Sequence, residues 1–323
     1  MSAGALLRPR RHNPGCGRGV SPSPRGAQVA RRRTTKAPMS LVLPNASIKE
    51  MARTPLDEKT FQRFCELIYE KAGIKLGEGK QSLVDARLGK RMRKLGIKSF
   101  RDYLHLVEQD NSGDELVELL DAISTNTTHF FRESSHFERL RTLLQTWEAA
   151  GQKRFRIWCA ASSTGEEPYT IAMTVREALR DVQDVRILAT DISTKVLRLA
   201  SQGVYTRQQV SSIPAALVSK YFQRHQTHHL DEPHFAANDE LRSLLTFARL
   251  NLATPPYAMK GPFDVIMCRN VMIYFDNVIR AGLLAQCERL LRPGGYLIVG
   301  HAESLSGMLT SLQRIEPSVY AKR

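Results

Sequence analysis

Between Leu56 and about Ala150, apolar residues recur three and four positions apart, the period of helices that bury one face. D-E-K-T-F-Q-R-F-C-E-L-I-Y-E-K opens with Asp57 as an N-cap and places Phe61, Phe64, Cys65 and Ile68 on one side. D-E-L-V-E-L-L-D-A-I-S repeats the pattern with Leu116, Leu119, Leu120 and Ile123. Gly73, Gly77 and Gly96 read as helix stops. In K-Q-S-L-V-D-A-R-L-G-K-R-M-R-K-L-G, at about 100° per residue, Val84, Leu88, Met92 and Leu95 share one narrow arc. Arg87, Lys90, Arg91, Arg93 and Lys94 take the other side, with no acid among them. Such a face is either merely solvated or a salt-sensitive docking face for an acidic partner.

Beyond Lys153 the period changes. R-F-R-I-W-C-A-A, V-R-I-L-A-T-D-I, F-D-V-I-M-C-R-N and G-G-Y-L-I-V-G are short apolar runs separated by helical ones, including a helix over Val278 to Leu291. Apolar strands joined by helices predict an α/β fold whose parallel sheet is covered on both faces. The rhythm breaks between Gly203 and Leu250, marking an insertion. The organisation expected is a tail over residues 1–50, a helical domain over 51–135 and an α/β domain over 136–323 carrying an insert at about 204–250.

Charge changes the picture only at the amino terminus. The chain of 323 residues carries a net +15. Met1 to Lys49 alone holds eight Arg, two Lys and no acid, leaving about +5 for the rest. That segment is rich in Pro, Gly and Ser, without periodicity, and reads as disordered or as lying ahead of a downstream start at Met39 or Met51. The remaining charge is too small to imply nucleic acid by itself. No apolar run reaches membrane-spanning length. Cys16, Cys65, Cys159, Cys268 and Cys287 lack metal-type spacing and read as reduced thiols of a cytoplasmic protein.

In a parallel sheet of this kind, ligands sit outside the carboxyl ends of the strands. The turn after the first strand reads S-S-T-G-E-E-P, Ser162 to Pro168, with one glycine and two carboxylates. Glu166 and Glu167 would repel a phosphate there. The second strand ends at Asp191, where an acid commonly accepts hydrogen bonds from ribose hydroxyls. A ribose-bearing ligand with positive charge and no phosphate fits both, which points to S-adenosylmethionine. Taken singly, either carboxylate is equally a helix cap.

N-T-T-H-F-F-R-E-S-S-H-F, C-A-A-S-S-T-G-E-E-P-Y, A-T-D-I-S, F-A-R-L-N-L and D-V-I-M-C-R-N-V-M-I-Y-F resemble the chemotaxis-receptor methyltransferases, the CheR family. The resemblance runs from roughly Leu56 to Lys322 with the motifs in family order. It implies a Rossmann-like class I S-adenosylmethionine-dependent methyltransferase sheet, preceded by an all-α domain and carrying a small antiparallel β subdomain. The implied reaction is methyl transfer to glutamate carboxylates in the cytoplasmic helical bundle of a chemoreceptor, docked through the basic helix. Carried over by position, Asn126, Thr128 and Arg132 line the cofactor site, Glu166 holds the methionine part and Asp191 the ribose. Asn251, Leu252, Arg269 and Asn270 complete the pocket, and Tyr274 with Arg132 flanks the transferred methyl. A one-residue shift of the loop exchanges Glu166 and Glu167. Some members grip a receptor's terminal pentapeptide with a glycine-rich loop in the insert; here that loop lacks glycine, so tethering is not expected. It clusters His225, His228, His229 and His234 near Asp231, a spacing too weak to predict a metal.

Two other readings remain at this point. A nucleic-acid methyltransferase is suggested by T-P-P-Y at Thr254 to Tyr257, although this element precedes F-D-V-I-M where amino-methylating enzymes place it after that strand. The other is a catalytically idle cofactor-binding scaffold.

Overall fold

The computed structural model describes residues 54–124, 127–182, 184–225 and 232–323. The amino-terminal tail, Asn126, His228, His229 and Asp231 lie outside the described residues.

The first part is helical. It comprises α1 (Glu58–Ala72), α2 (Gln81–Leu95), α3 (Phe100–Gln109) and α4 (Asp114–Ile123). Asp57 caps α1 as expected, its carboxylate accepting from the Thr60 amide at 2.9 Å. Gly73 and Gly96 end α1 and α2 in the left-handed conformation. Gly77 does not stop a helix; it is extended and precedes a short 3-10 turn. Phe61, Phe64, Ile68, Val84, Leu88, Met92, Leu119 and Ile123 meet in one apolar core. Leu95 departs from its predicted arc and is 39% exposed, because the chain turns away at Gly96 immediately after it.

The basic side of α2 is not one open face. Arg91 donates to both oxygens of Glu115 at 3.0 and 2.6 Å and pairs with Glu118 at 3.1 Å. Arg87 donates to the carbonyls of Ile123 and Ser124. Both arginines therefore fasten α2 to α4, while Lys90, Arg93 and Lys94 are exposed.

The α/β part runs α5 (Ser135–Ala149), β1 (Arg154–Cys159), α6 (Glu166–Ala178), β2 (Asp184–Asp191), α7 (Thr194–Gln202) and β3 (Val204–Thr206). It continues with α8 (Arg207–Val210), α9 (Ala215–Tyr221), β4 (Phe222–His225), β5 (His234–Ala237), α10 (Asp239–Arg242) and β6 (Leu245–Arg249). It ends with β7 (Phe263–Cys268), α11 (Asn277–Leu290), β8 (Leu291–Val299), β9 (Gln313–Glu316) and β10 (Val319–Ala321). The main sheet has the order β6-β2-β1-β7-β8-β10-β9. Its first five members are parallel, and β10 and β9 add an antiparallel edge.

Period-two alternation divides the core. Phe155, Ile157 and Cys159 of β1 join a cluster with Phe137 and Leu140 of α5 and Ile171 and Val175 of α6. Trp158 and Ala160 face the opposite cluster, with Leu283, Leu284 and Cys287 of α11. Strand order reverses at β1, whose neighbours are β2 and β7, so a crevice opens where the loops after β1 and β7 part.

A second sheet, β3-β5-β4, is antiparallel and forms the inserted subdomain. It is shorter than the segment expected from the sequence. Leu245–Arg249 instead pairs in parallel with β2, from Ile187↔Leu245 to Asp191↔Arg249. That pairing satisfies the edge of β2 and delivers Asn251 and Leu252 to the sheet's carboxyl edge beside Asp191.

Candidate active site

Each wall of the crevice has a local cause. Thr127 to Arg132 form neither regular helix nor strand, and the two phenylalanines in this segment are anchors. Phe130 is buried edge-on against Tyr205, with ring centroids 4.8 Å apart, and Phe131 packs on Phe137 at 5.8 Å. The Phe131 amide donates to the Thr170 hydroxyl on α6 at 3.2 Å. With both rings fixed, Arg132 is left facing the crevice.

The turn after β1 has two left-handed positions, Ser163 at φ 47° and Gly165, and only the second is too crowded for a side chain. Gly165 has φ 102°, and a Cβ there would lie 2.6 Å from the Tyr205 hydroxyl oxygen. The next two residues diverge. Glu166 is turned away from the crevice, accepting from the Thr164 hydroxyl at 2.6 Å and Gln209 Nε2 at 3.0 Å. Glu167 lines the crevice. The sequence assignment of Glu166 as the cofactor-facing carboxylate is thus not supported by the geometry, which puts its neighbour there.

Glu167 accepts from Arg269 Nη1 at 2.8 Å and from the Cys159 thiol at 3.3 Å. Burial pushes its carboxyl up, and the Arg269 cation partly offsets that. Asp191 ends β2 and accepts from the Ser163 and Ser193 amides at 2.9 and 3.0 Å. Burial raises its carboxyl as well, against the pull of those two amides.

Arg269 is a hub rather than an open ligand group. Its side chain is wholly buried, bonded to Glu167, to Glu133 at 3.1 Å and to the Arg132 carbonyl, with the Phe137 ring 5.2 Å away. Glu133 also accepts from Asn270 Nδ2 and the His301 amide, both at 3.2 Å. Glu303 takes the Asn270 and Gly300 amides at 2.7 Å each. Four of the five non-glycine residues with left-handed φ among the described residues, Phe131, Glu133, Ser163 and Asn270, sit in these loops. Each costs on the order of 1–3 kcal/mol, sustained by the surrounding bonds, and such clusters mark functional sites.

The remaining sequence-predicted residues fall as follows. Thr128, Asn251, Leu252, Asn270 and Tyr274 line the crevice. Asn251 is partly spent on structure, its amide donating to the Lys71 carbonyl at 2.8 Å. Arg132 Nη1 donates to the Thr127 carbonyl at 2.9 Å. Tyr274 lies in a 3-10 turn after β7. Asn126 cannot be placed, since it lies outside the described residues.

Sequence reasoning missed one whole wall. Ile74, Lys75, Leu76, Lys80 and Leu83 of the helical domain close the crevice, which encloses about 210 Å³. The signal available was G-I-K-L-G after α1, a pair of apolar residues in a glycine-flanked loop with no helix to bury them. It also missed Glu133 and Glu303, which no periodicity distinguishes from surface acids.

Glu133, His136 and His301 bring donor atoms within 4.8 Å of one another. The Arg269 cation already occupies the Glu133 carboxylate, so this set reads as a positioning cluster and not as a metal centre. His225 and His234 face each other across β4 and β5. Of the T-P-P-Y element only Tyr257 belongs to the core: it is buried, donates to the Leu252 carbonyl at 2.7 Å and packs on Trp158, while Thr254, Pro255 and Pro256 are exposed.

The crevice therefore offers one carboxylate from the first turn of α6 and one from the end of β2, an apolar wall and, among the described residues, no glycine-rich phosphate loop, which fits S-adenosylmethionine. Comparison with known proteins agrees. Residues 59–124 match the all-alpha domain and residues 126–321 the SAM binding domain of CheR methyltransferases. The chain is 37% identical over 270 residues to the chemotaxis protein methyltransferase of Escherichia coli K12, spanning 83% of this chain and 92% of that protein. It is 41% identical over 248 residues to a probable chemotaxis protein methyltransferase of Rhizobium etli, spanning 75% and 91%. With both domains matched in order around one crevice, the chain belongs to the CheR methyltransferase family and is an S-adenosylmethionine-dependent methyltransferase.

Proposed function

We propose that the chain methylates glutamate side chains in the cytoplasmic helical region of a chemoreceptor, in the cytoplasm, producing methyl esters. The observation that carries this reading is a crevice whose carboxylates are already engaged, Glu167 by Arg269 and Asp191 by two loop amides, with Arg132 and Tyr274 on its walls to position an acceptor. A glutamate carboxylate has a reference pKa of about 4.3 and is already a nucleophile at neutral pH. An acceptor hydroxyl or amine would need a base.

Bound S-adenosylmethionine supplies an electrophilic methyl on a sulfonium. In this reading Glu167, not Glu166, takes the cofactor's ammonium, and Asp191 takes the ribose hydroxyls. Thr128, Asn251, Leu252 and Asn270 shape the pocket, and Arg269 acts from behind by fixing Glu167 and the Arg132 backbone. Arg132 orients the incoming carboxylate through its planar fork, and Tyr274 borders the methyl's path. Orientation and loss of water account for the catalysis; positioning alone lowers a barrier by about 7–11 kcal/mol.

Receptor docking through α2 rests on Lys90, Arg93 and Lys94, since Arg87 and Arg91 are committed to α4. None of the helices described is long and apolar enough to cross a membrane. The test is transfer of labelled methyl from S-adenosylmethionine to a purified chemoreceptor cytoplasmic fragment, with DNA and RNA as competing acceptors. Label on the fragment that mild alkali releases supports carboxyl esters; label confined to nucleic acid refutes the reading.

A further inference from the structure

An exposed apolar patch borders the mouth of the crevice. Val278 is 77% exposed, Ile273 54% and Tyr69 41%. They belong to one junction between the helical and α/β parts. The Tyr69 hydroxyl donates to Asp276, the N-cap of α11, at 2.5 Å. The Lys75 amide donates to the Tyr274 carbonyl at 2.9 Å. Gly73 has φ 69°, and a Cβ there would lie 2.6 Å from Ile279 Cδ1, so the two parts touch backbone to side chain. Ile273 immediately precedes Tyr274, and Lys75 and Lys80 line the crevice and are exposed. The nearby acid is occupied: Asp276 holds the Tyr69 hydroxyl and the Ile279 amide.

We propose that Ile273, Val278 and the Tyr69 ring form a ledge that seats the apolar stripe of an acidic amphipathic helix, whose glutamate passes Lys75 and Lys80 to reach Tyr274. This rests on the glutamate-methylating reading above. A glutamate side chain is short, so its main chain must lie at the rim when the carboxylate is inside. If that main chain is helical, residues three and four positions away share the glutamate's face, about 5–6 Å from it. Those neighbours fall on the ledge. The rim is built from the 3-10 turn and the first turn of α11, and not from a strand. The ledge therefore selects glutamates flanked at three or four positions by apolar residues, and the lysines bias entry toward anions.

The test uses the full chain carrying Ile273→Glu and Val278→Glu, both at exposed positions outside the catalytic wall, with a purified chemoreceptor cytoplasmic fragment as acceptor. The expected result is a KM for the fragment raised roughly tenfold or more, with kcat and S-adenosylmethionine affinity within about twofold of wild type. Replacing apolar residues three and four positions from a methylated glutamate of the fragment by serine should raise KM on the wild-type enzyme in the same way. An unchanged KM in the double variant, or a loss confined to kcat or cofactor affinity, would overturn the ledge. Wild-type enzyme that transfers no methyl to any receptor fragment would instead refute the underlying reading, and the ledge with it.

Discussion

Arg269 Nη1 donates to Glu167 Oε2 at 2.8 Å, joining the carboxyl end of β7 to the turn that follows β1. The same guanidinium holds Glu133 and the Arg132 carbonyl, so one buried cation ties together three of the crevice's walls. Removing it strands two carboxylates in a buried setting. Arg269→Met is expected to cost about 3–5 kcal/mol, as breaking one side of a buried pair does. Urea unfolding of the variant checks this.

Glu167 faces the crevice with its carboxyl held above the ordinary range by burial. A protonated carboxyl cannot pair with the cofactor's ammonium, so S-adenosylmethionine binding should tighten as pH rises through that raised value and level off above it. Glu167→Gln should lose this dependence and bind roughly tenfold or more weakly, in line with about 1.5–3 kcal/mol for a hydrogen bond to a charged group. Glu166→Gln should leave the pH profile in place. Titration calorimetry across the acid range separates the two.

Arg132→Lys keeps the charge and loses the fork. If Arg132 orients the acceptor carboxylate, kcat should fall by roughly ten- to a hundredfold while cofactor affinity changes by less than about threefold. Steady-state methylation kinetics together with equilibrium binding give both quantities. An unaltered kcat would remove the orienting role.

His136 is buried, with neither ring nitrogen hydrogen-bonded among the described residues. Burial, with the Arg269 cation second, lowers its pKa to about 4 from 6.5. A group depressed in the folded state takes up its proton preferentially in the unfolded one. Its contribution to stability therefore falls as pH drops from about 6.5 toward about 4, by an amount on the order of 3 kcal/mol. His136→Phe should flatten that part of the stability-versus-pH curve, measured by denaturant unfolding at a series of pH values.

Gly73→Ala should destabilise the chain at the junction of its two parts. The left-handed backbone costs about 1–2 kcal/mol for alanine, and the added methyl would lie 2.5 Å from Ala253 Cβ and 2.6 Å from Ile279 Cδ1. Overpacking of that kind adds about 1–3 kcal/mol. Thermal unfolding of Gly73→Ala beside Gly96→Ala, whose position meets no neighbour, isolates the packing part.

The sequence carried the elements that follow a period. Helices and strands were legible because Phe61, Phe64 and Ile68, or Ile157 and Cys159, repeat at the spacing of one buried face. Strand order and the crevice followed from the rule that ligands meet the carboxyl ends of parallel strands. What was not legible depended on side-chain direction. Glu166 and Glu167 are adjacent acids in one turn, and only the backbone of Gly165 decides which enters the crevice. Arg87 and Arg91 lie on the same helical arc as Lys90 and Lys94, yet α4 passes over the arginines. Glu133 and Glu303 bond to loop amides distant in sequence, a relationship without local pattern. The rhythm breaks before Leu245–Arg249, so the sequence pattern places it in the insert, and only pairing with β2 restores it to the sheet.

The central claim is that the acceptor is a glutamate carboxylate. Tandem mass spectrometry of a receptor cytoplasmic fragment, after incubation with the enzyme and S-adenosylmethionine, locates the added methyl directly. Single methyl groups are expected on glutamate side chains, lost on mild alkaline treatment and absent when the enzyme carries Glu167→Gln at limiting cofactor. Methyl groups that resist alkali and map to lysine, arginine or a main-chain terminus would contradict it.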